Sequence, residues 1–241
     1  STTLSVDGVK LDAVALAEQV ETSFFTNHAA VTAPVEITKP TIDSNNLAAL
    51  GITRELAKGT SNYSGSIDGR ANNIEVGARL LNGTLVPPHS EFSFNHSIGY
   101  ITEEKGYVEA QVIDGETIGQ DIGGGICQVS TTVFRAAYLA GMPITEWWPH
   151  RYRIAFYEYD GWPPGLDASI LMPSEDPSTW GDFRFENPTD SWLLIESWAD
   201  GVNVVVVIYG PDLGWQVETK GPQPGAKFQV LRDQELVDPE L

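Results

Sequence analysis

The segment from residue 123 to residue 143 constrains the fold of this chain more than any other. It begins with three consecutive glycines and continues with apolar residues at positions 126, 129, 133, 134, 137 and 138, which is the spacing of an amphipathic helix. Gly141 and Pro143 follow where a helix is expected to end. The pattern predicts a glycine-rich turn and then a helix over residues 126–140. Cys127, the single cysteine of the chain, lies in its first turn.

The chain beyond residue 150 is predicted to be mostly β-structure. Trp192–Trp198 and Val202–Tyr209 flank Ala199-Asp200-Gly201, which is a hairpin signal. We therefore expect an α+β fold in which mainly antiparallel strands pack against the helix that carries the cysteine at its N-terminus. The other candidate strands of the main domain cover residues 92–94, 107–113, 151–159, 166–172 and 182–186.

Two segments flank the main domain, which we place at residues 60–210. Residues 1–59 are predicted to form a small α+β unit with a helix capped by Asp12, a strand within 31–38 and a short second helix near residues 47–50. Residues 211–241 are rich in Gly, Pro and charge, and we expect a C-terminal extension or linker with one strand near 228–231.

The composition argues against several functional classes. Lys and Arg number 14 against 33 Asp and Glu, and the resulting formal charge of −19 opposes binding to nucleic acid or to anionic lipid. A single cysteine excludes an intrachain disulfide. No apolar run reaches the length of a membrane span. The spacing of Cys and His is not that of a metal site, so we expect no metal and no cofactor.

Cys127 combines several features of a nucleophile. The dipole and free amides at a helix N-terminus stabilise a thiolate. Gly124 and Gly125 allow close approach of a substrate, and their amides are candidate donors to an oxyanion. Gln128 and Ser130 follow as candidate substrate-binding residues. The alternative role for Cys127 is that of a small buried apolar side chain.

A thiol nucleophile needs a base, and His150 is the preferred candidate. It follows Trp147-Trp148-Pro149 at the predicted start of a strand, after the cysteine helix, which is the chain order of papain-like and NlpC-type cysteine peptidases. The alternative role for His150 is that of a hydrogen-bonded strand residue. Of the other histidines, His96 is a second candidate, His89 lies in a predicted surface turn, and His28 has no motif around it.

The group that would orient the imidazole is not settled by the sequence. Asp167 is one candidate, and a turn-capping role fits it equally well. A simple hairpin of residues 151–159 and 166–172 would place Asp167 about 26 Å from His150, at ~3.3 Å per residue, unless the loop at Trp162-Pro163-Pro164 folds back. A backbone carbonyl is another possibility, and so are three other carboxylates: Glu109, Asp121 and Glu146.

Several strings in this chain resemble the VanW domain family, which is named for an accessory protein of vancomycin-resistance clusters. The most specific is Gly-Gly-Gly-Ile-Cys-Gln-Val-Ser-Thr-Thr at residues 123–132, and Gly106–Ala110, Pro149-His150 and Gly165–Ser169 also fit. The resemblance covers residues 60–210. The segment before it resembles the latter part of a peptidoglycan-binding module.

The resemblance implies a protein of the cell envelope, outside the cytoplasm, and some VanW-type domains are L,D-transpeptidases. Such an enzyme takes a peptidoglycan stem peptide as acyl donor and makes a 3-3 crosslink to a neighbouring stem. The resemblance also implies that Cys127 is the nucleophile and His150 the base. Arg151, where relatives often carry Ser, either binds a substrate carboxylate or is a surface residue. The alternatives to a transpeptidase are a cysteine peptidase acting on stem peptides and a non-catalytic peptidoglycan-binding protein. The sequence does not indicate the oligomeric state.

Overall fold

The computed structural model describes residues 5–26, 30–40, 47–114, 117–150, 153–172, 181–218, 230–232 and 235–237. The chain divides into two compact units between Ala49 and Leu50. Helices and antiparallel sheets occur together, which confirms the predicted α+β class. The division falls before residue 59, because the first strand of the larger unit, β3, spans Arg54–Asn62.

The smaller unit contains one helix and one pair of strands. Strand β1 (Gly8–Leu11) pairs antiparallel with β2 (Val35–Thr38), and α1 (Ala13–Thr26) lies between them in the sequence. The predicted Asp12 cap is present, since its Oδ1 accepts the amides of residues 14 and 15 at 3.1 and 2.9 Å. No residue of α1 is buried. The helix predicted near residue 47 is a single 3-10 turn, Leu47–Leu50.

A four-stranded antiparallel sheet forms the frame of the larger unit. Its order is β3, β11 (Asn203–Gly210), β10 (Leu193–Ala199) and β4 (Thr84–Val86). The β10–β11 hairpin confirms the turn predicted at residues 199–201. Strand β11 is central and its residues 204–208 are all buried, as expected for a run of β-branched side chains covered on both faces.

Two helices cover this sheet and contact each other: α2 (Asp68–Leu81) and α4 (Ile126–Ala140). Helix α4 has the predicted bounds and ends at Gly141, whose φ of +71° is the left-handed conformation that favours glycine. Its backbone lies close to β3 at Gly59, where a Cβ would be 2.3 Å from the carbonyl oxygen of Thr132. The helix that carries Cys127 is thus fixed against an edge strand of the sheet.

The remaining strands form smaller sheets around this core. Strands β5 (Glu91–Ser93), β9 (Arg184–Glu186) and β8 (Ile144–Glu146) make a three-stranded sheet beside α3 (Phe94–Ile98). Strand β6 (Glu109–Asp114) confirms most of the strand predicted at 107–113, and its hairpin partner β7 (Thr117–Ile122) was not predicted. Strands β12 (Val230–Arg232) and β13 (Glu235–Val237) pair with each other.

The predicted strands at 151–159 and 166–172 are wrong. Residues Ala155–Gly161 form 3-10 turns, and Leu171, in a single bridge to Gly181, is the one bridged position of 166–172. The guanidinium of Arg135 explains the difference, because it takes up the carbonyl oxygens of Leu166 and Tyr157, which a ladder would otherwise use. This segment is held on α4 rather than in a hairpin.

Within the described part of the chain, no helix is long and apolar enough to cross a lipid bilayer.

Candidate active site

The glycine turn sets the position of Cys127 at the start of α4. A Cβ at Gly124 would lie 2.4 Å from the carbonyl oxygen of Gln111, so only glycine allows the turn to lie this close to β6. The fully buried Asn73 amide donates to the carbonyls of Gly124 and Val108 at 3.0 and 2.9 Å. These contacts fix the turn between α2 and the β6–β7 hairpin.

The first turn of α4 presents amides to the space around the thiol. The amides of Ile126 and Gln128 donate to the carbonyls of Gly123 and Gly125 at 3.1 and 3.0 Å. Among the described residues, the amide of Cys127 finds no backbone acceptor. Since the positive end of the helix dipole lies here, a developing negative charge is favoured at this place.

The segment from residue 162 to residue 170 runs back along α4 and is held there by buried hydrogen bonds. Ser130 Oγ donates to the carbonyl oxygen of Ala168 at 2.6 Å, and the Ala168 amide donates to Thr131 Oγ1 at 3.0 Å. One turn further, Arg135 Nε donates to the Leu166 carbonyl at 2.9 Å. Together these bonds place Asp167 opposite the first two turns of the helix.

Asp167 meets His150, and the two segments that carry them are joined by further contacts. Asp167 Oδ2 lies 2.5 Å from His150 Nδ1 and accepts the backbone amide of His150 at 3.0 Å. Trp147 Nε1 donates to the Asp167 carbonyl at 2.6 Å, and the Ser169 amide donates to the Trp148 carbonyl at 2.7 Å. The separation of about 26 Å expected from a simple hairpin does not occur, because the loop folds back.

Cys127 and His150 perturb each other. Burial raises the pKa of Cys127, but the hydrogen bond and charge of His150 are the largest opposing causes, and the pKa lies below its ordinary value. The thiol also lies 3.8 Å from the carbonyl oxygen of Ile170. Burial lowers the pKa of His150, whereas hydrogen bonds and charges from Asp167 and Cys127 raise it to about 9. Because Nδ1 bonds Asp167, Nε2 is the nitrogen left for the thiol. The arrangement favours a thiolate–imidazolium pair.

Aromatic and cationic side chains form the wall next to this pair. The ring centroid of buried Tyr157 lies 5.3 Å from that of His150. Burial and the charge of Cys127 raise the pKa of the Tyr157 hydroxyl well above its usual range, while Arg70 and Thr131 act in the other direction. The phenol is therefore a neutral hydrogen-bonding group beside the thiol.

The other sequence candidates have different partners. Exposed His89 pairs with Asp190 at 2.7 Å, and His96 is exposed on α3. Glu146 accepts hydrogen bonds from Trp148 Nε1 and the Asp182 amide, both at 2.8 Å. Glu109 and Asp121 are exposed on the β6–β7 hairpin. His28 and Arg151 lie outside the described residues.

Three residues proposed to bind substrate have positioning roles instead. Gln128 is fully buried, and its side chain accepts from Arg70 at 2.5 Å and donates to the Asn62 carbonyl at 2.8 Å. Ser130 is fully buried, and its hydroxyl donates to the Ala168 carbonyl oxygen. Gly124 is covered by β6 and Asn73. All three residues are buried and therefore not accessible to a ligand, whereas Gly125 is partly exposed.

Residues important for the geometry were missed in the sequence, and one of them carried a signal. Arg135 lies among the apolar positions of α4, and a cation there needs several buried acceptors. It has them, since its guanidinium donates to the carbonyls of Thr60, Leu166 and Tyr157. The sequence gives no comparable indication of the roles of Asn73 and Tyr157, because neither residue type is unusual in its segment.

Comparison with known proteins covers this same region. A family model described as VanW like protein matches residues 69–209. The uncharacterized protein YoaR of Bacillus subtilis (strain 168) is similar, with 32% identity over 176 residues that make up 72% of this chain and 54% of YoaR. The chain thus spans about half the length of this curated relative. No solved structure matches the chain.

Proposed function

The chain belongs to the VanW-like family, and we propose that it is a cysteine acyltransferase of the cell envelope, an L,D-transpeptidase acting on peptidoglycan stem peptides. The observation that carries the proposal is the position of His150: its Nδ1 bonds Asp167, and it is close enough to Cys127 to lower the pKa of the thiol. A nucleophile, a base and a group that orients the base are the requirements of thiol-based acyl transfer.

In the first half of the proposed reaction, the Cys127 thiolate attacks a backbone carbonyl carbon of the donor stem. The carbon–nitrogen bond then breaks and a thioester forms. His150, as imidazolium, gives its proton to the departing amine of the terminal D-Ala, so that the amine leaves neutral. Asp167 stabilises the imidazolium before this transfer and holds its ring in place.

In the second half, an amine of a neighbouring stem attacks the thioester. His150 takes a proton from this amine, the carbon–sulfur bond breaks, and the thiolate is restored as the new amide forms. The product is a 3-3 crosslink. Both tetrahedral intermediates carry an oxyanion, and the amide of Cys127, with that of Gly125, is the donor group we propose for it.

Several parts of the proposal rest on the family rather than on the geometry. A location outside the cytoplasm and stem peptides as substrate are what membership of this family suggests. The smaller unit, up to Ala49, is proposed to belong to a peptidoglycan-binding module, and residues 211–241 to be an extension or linker. The geometry supports thiol acyl transfer; with water in place of the amine as acceptor, the same site would be that of a cysteine peptidase.

Product analysis on purified disaccharide-tetrapeptides tests the proposal. We expect the wild type to release D-Ala and to form dimers, detected by mass spectrometry, and Cys127→Ser to form none. The matched control is His89→Ala, which removes an exposed histidine that also pairs with an aspartate; it should retain activity. Release of D-Ala without dimers would identify a peptidase, and no turnover with a folded wild type would contradict catalysis on this substrate.

A further inference from the structure

Arg70 lies against the start of the cysteine helix. Its Nη2 donates to Gln128 Oε1 at 2.5 Å, its Nη1 donates to Ser66 Oγ at 2.6 Å, and its guanidinium carbon lies 4.8 Å from the ring centroid of Phe156. Its Cγ would be 2.8 Å from a Cβ at Gly125. Arg70 therefore contacts the residues on both sides of the Ile126-Cys127 pair, and it is partly exposed.

The hydrogen-bonding partners of Arg70 are neutral and include the Tyr157 hydroxyl, and the anion next to its charge is the Cys127 thiolate. An amide, two hydroxyls and an aromatic ring hold the guanidinium, and none of the described carboxylates forms an ion pair with it. This is unusual in a chain with a formal charge of −19. A partly buried guanidinium with unused donors is suited to a carboxylate ligand, which its planar fork can bind at two points.

The other described arginines next to the site are already engaged. Arg135 is buried and donates to three backbone carbonyls. Arg153 is exposed and makes two hydrogen bonds of 2.5 Å to the carboxylate of Glu158. Arg70 is thus the described arginine beside the thiol whose charge is not matched by a carboxylate or consumed by carbonyls.

We infer that Arg70 binds a carboxylate of the acyl donor and so selects donors that carry a free carboxylate close to the attacked carbonyl. This inference rests on the proposed acyl transfer at Cys127. The two such groups nearest to the attacked carbonyl of a stem peptide are the C-terminal carboxylate of the leaving residue and the side-chain carboxylate of the diaminopimelate residue.

Paired alkylating reagents test the inference without requiring turnover. Iodoacetate and iodoacetamide both react with the Cys127 thiolate, but only iodoacetate carries a carboxylate. In the wild type, the ratio of the iodoacetate rate to the iodoacetamide rate should exceed that in Arg70→Met by about tenfold or more, as expected for the loss of one charge in a partly buried site. Arg70→Lys should retain much of the wild-type ratio. Arg79→Met, on the exposed face of the same helix, should match the wild type.

The ratio separates a ligand role from a structural one. If Arg70 only supports Gln128, its loss changes both rates by the same factor, and that result would overturn the inference. If Arg70→Met does not fold by circular dichroism, Arg70→Gln replaces it, since it removes the charge and keeps a hydrogen-bonding side chain. An unchanged ratio in a folded Gln or Met variant also overturns the inference.

Amidated donors then identify the source of the carboxylate. Tetrapeptides amidated at the C-terminus or at the diaminopimelate side chain should differ, and only the amidation that removes the Arg70 ligand should make wild type and Arg70→Met equal in kcat/KM. If neither amidation makes the two proteins equal in an active enzyme, Arg70 binds neither of these carboxylates and the inference is overturned. If the wild type is inactive on all donors while the alkylation ratio depends on Arg70, the proposed function fails and the carboxylate site stands.

Discussion

Replacing Asp167 with Asn removes the charge that holds His150 in its protonated form while keeping the shape of the side chain. Asp167 Oδ2 contacts both Nδ1 and the backbone amide of His150, and the Asn oxygen can still accept one of these bonds. The side chains of His150 and Asp167 are only 9% and 15% exposed, so solvent screens their interaction weakly.

The size of the effect follows from the pKa of His150. Burial lowers this pKa, and Asp167 and Cys127 raise it from 6.5 to about 9. The rise corresponds to about 3 kcal/mol in favour of the imidazolium. Asp167 and Cys127 together supply this net rise and also offset the effect of burial, so Asp167→Asn should lower the free energy of unfolding at pH 6 by about 1–3 kcal/mol. Because the folded-state pKa is above the unfolded-state value, the stabilisation is complete below pH 6.5 and is lost as the pH rises through about 9.

Urea unfolding of both proteins at pH 6 and pH 10 measures this difference. We expect most of the loss at pH 6 and little of it at pH 10. Asp190→Asn is the matched control, because Asp190 pairs with exposed His89, and it should cost less than about 1 kcal/mol at either pH. An equal loss for Asp167→Asn at the two pH values would refute the electrostatic account of the His150–Asp167 contact.

Three further substitutions test the parts that position the site, each by urea unfolding. Arg135→Met should cost about 3 kcal/mol or more, because it leaves three carbonyl oxygens without their donor. Asn73→Ala should cost about 2–4 kcal/mol through lost buried hydrogen bonds, and Asn72→Ala, which loses an exposed one, about 1 kcal/mol or less. Gly124→Ala should cost about 2 kcal/mol or more from its 2.4 Å clash, whereas Gly181→Ala meets nothing closer than 3.5 Å and should be tolerated. Equal costs within either matched pair would contradict these assignments.

The cysteine helix was predictable because its signals are local. The apolar spacing over residues 126–140, with glycines at both ends, defines the helix and its bounds without help from distant residues. The β10–β11 hairpin was predictable for the same reason, since its turn residues and its β-branched strands lie next to each other in the sequence.

Residues 153–172 were mispredicted because their conformation depends on a distant cation. Aromatic and apolar residues there are typical of strands, but the carbonyls of Tyr157 and Leu166 are bound by Arg135 on α4. A prediction from local strand propensity does not take such a distant contact into account. The same tether brings Asp167 to His150, so the third member of the site could be proposed from the sequence and not placed by it.

The rate of iodoacetamide alkylation of Cys127 as a function of pH, in the wild type and in His150→Ala, tests the central claim most directly. The account predicts a thiol that ionises below its ordinary pKa of 9.0 in the wild type and at a higher pH in the variant, because the variant loses the charge and hydrogen bond that lower the pKa while burial still raises it. Identical pH profiles in the two folded proteins, or a wild-type thiol that does not react until the protein unfolds, would contradict a nucleophile activated by His150.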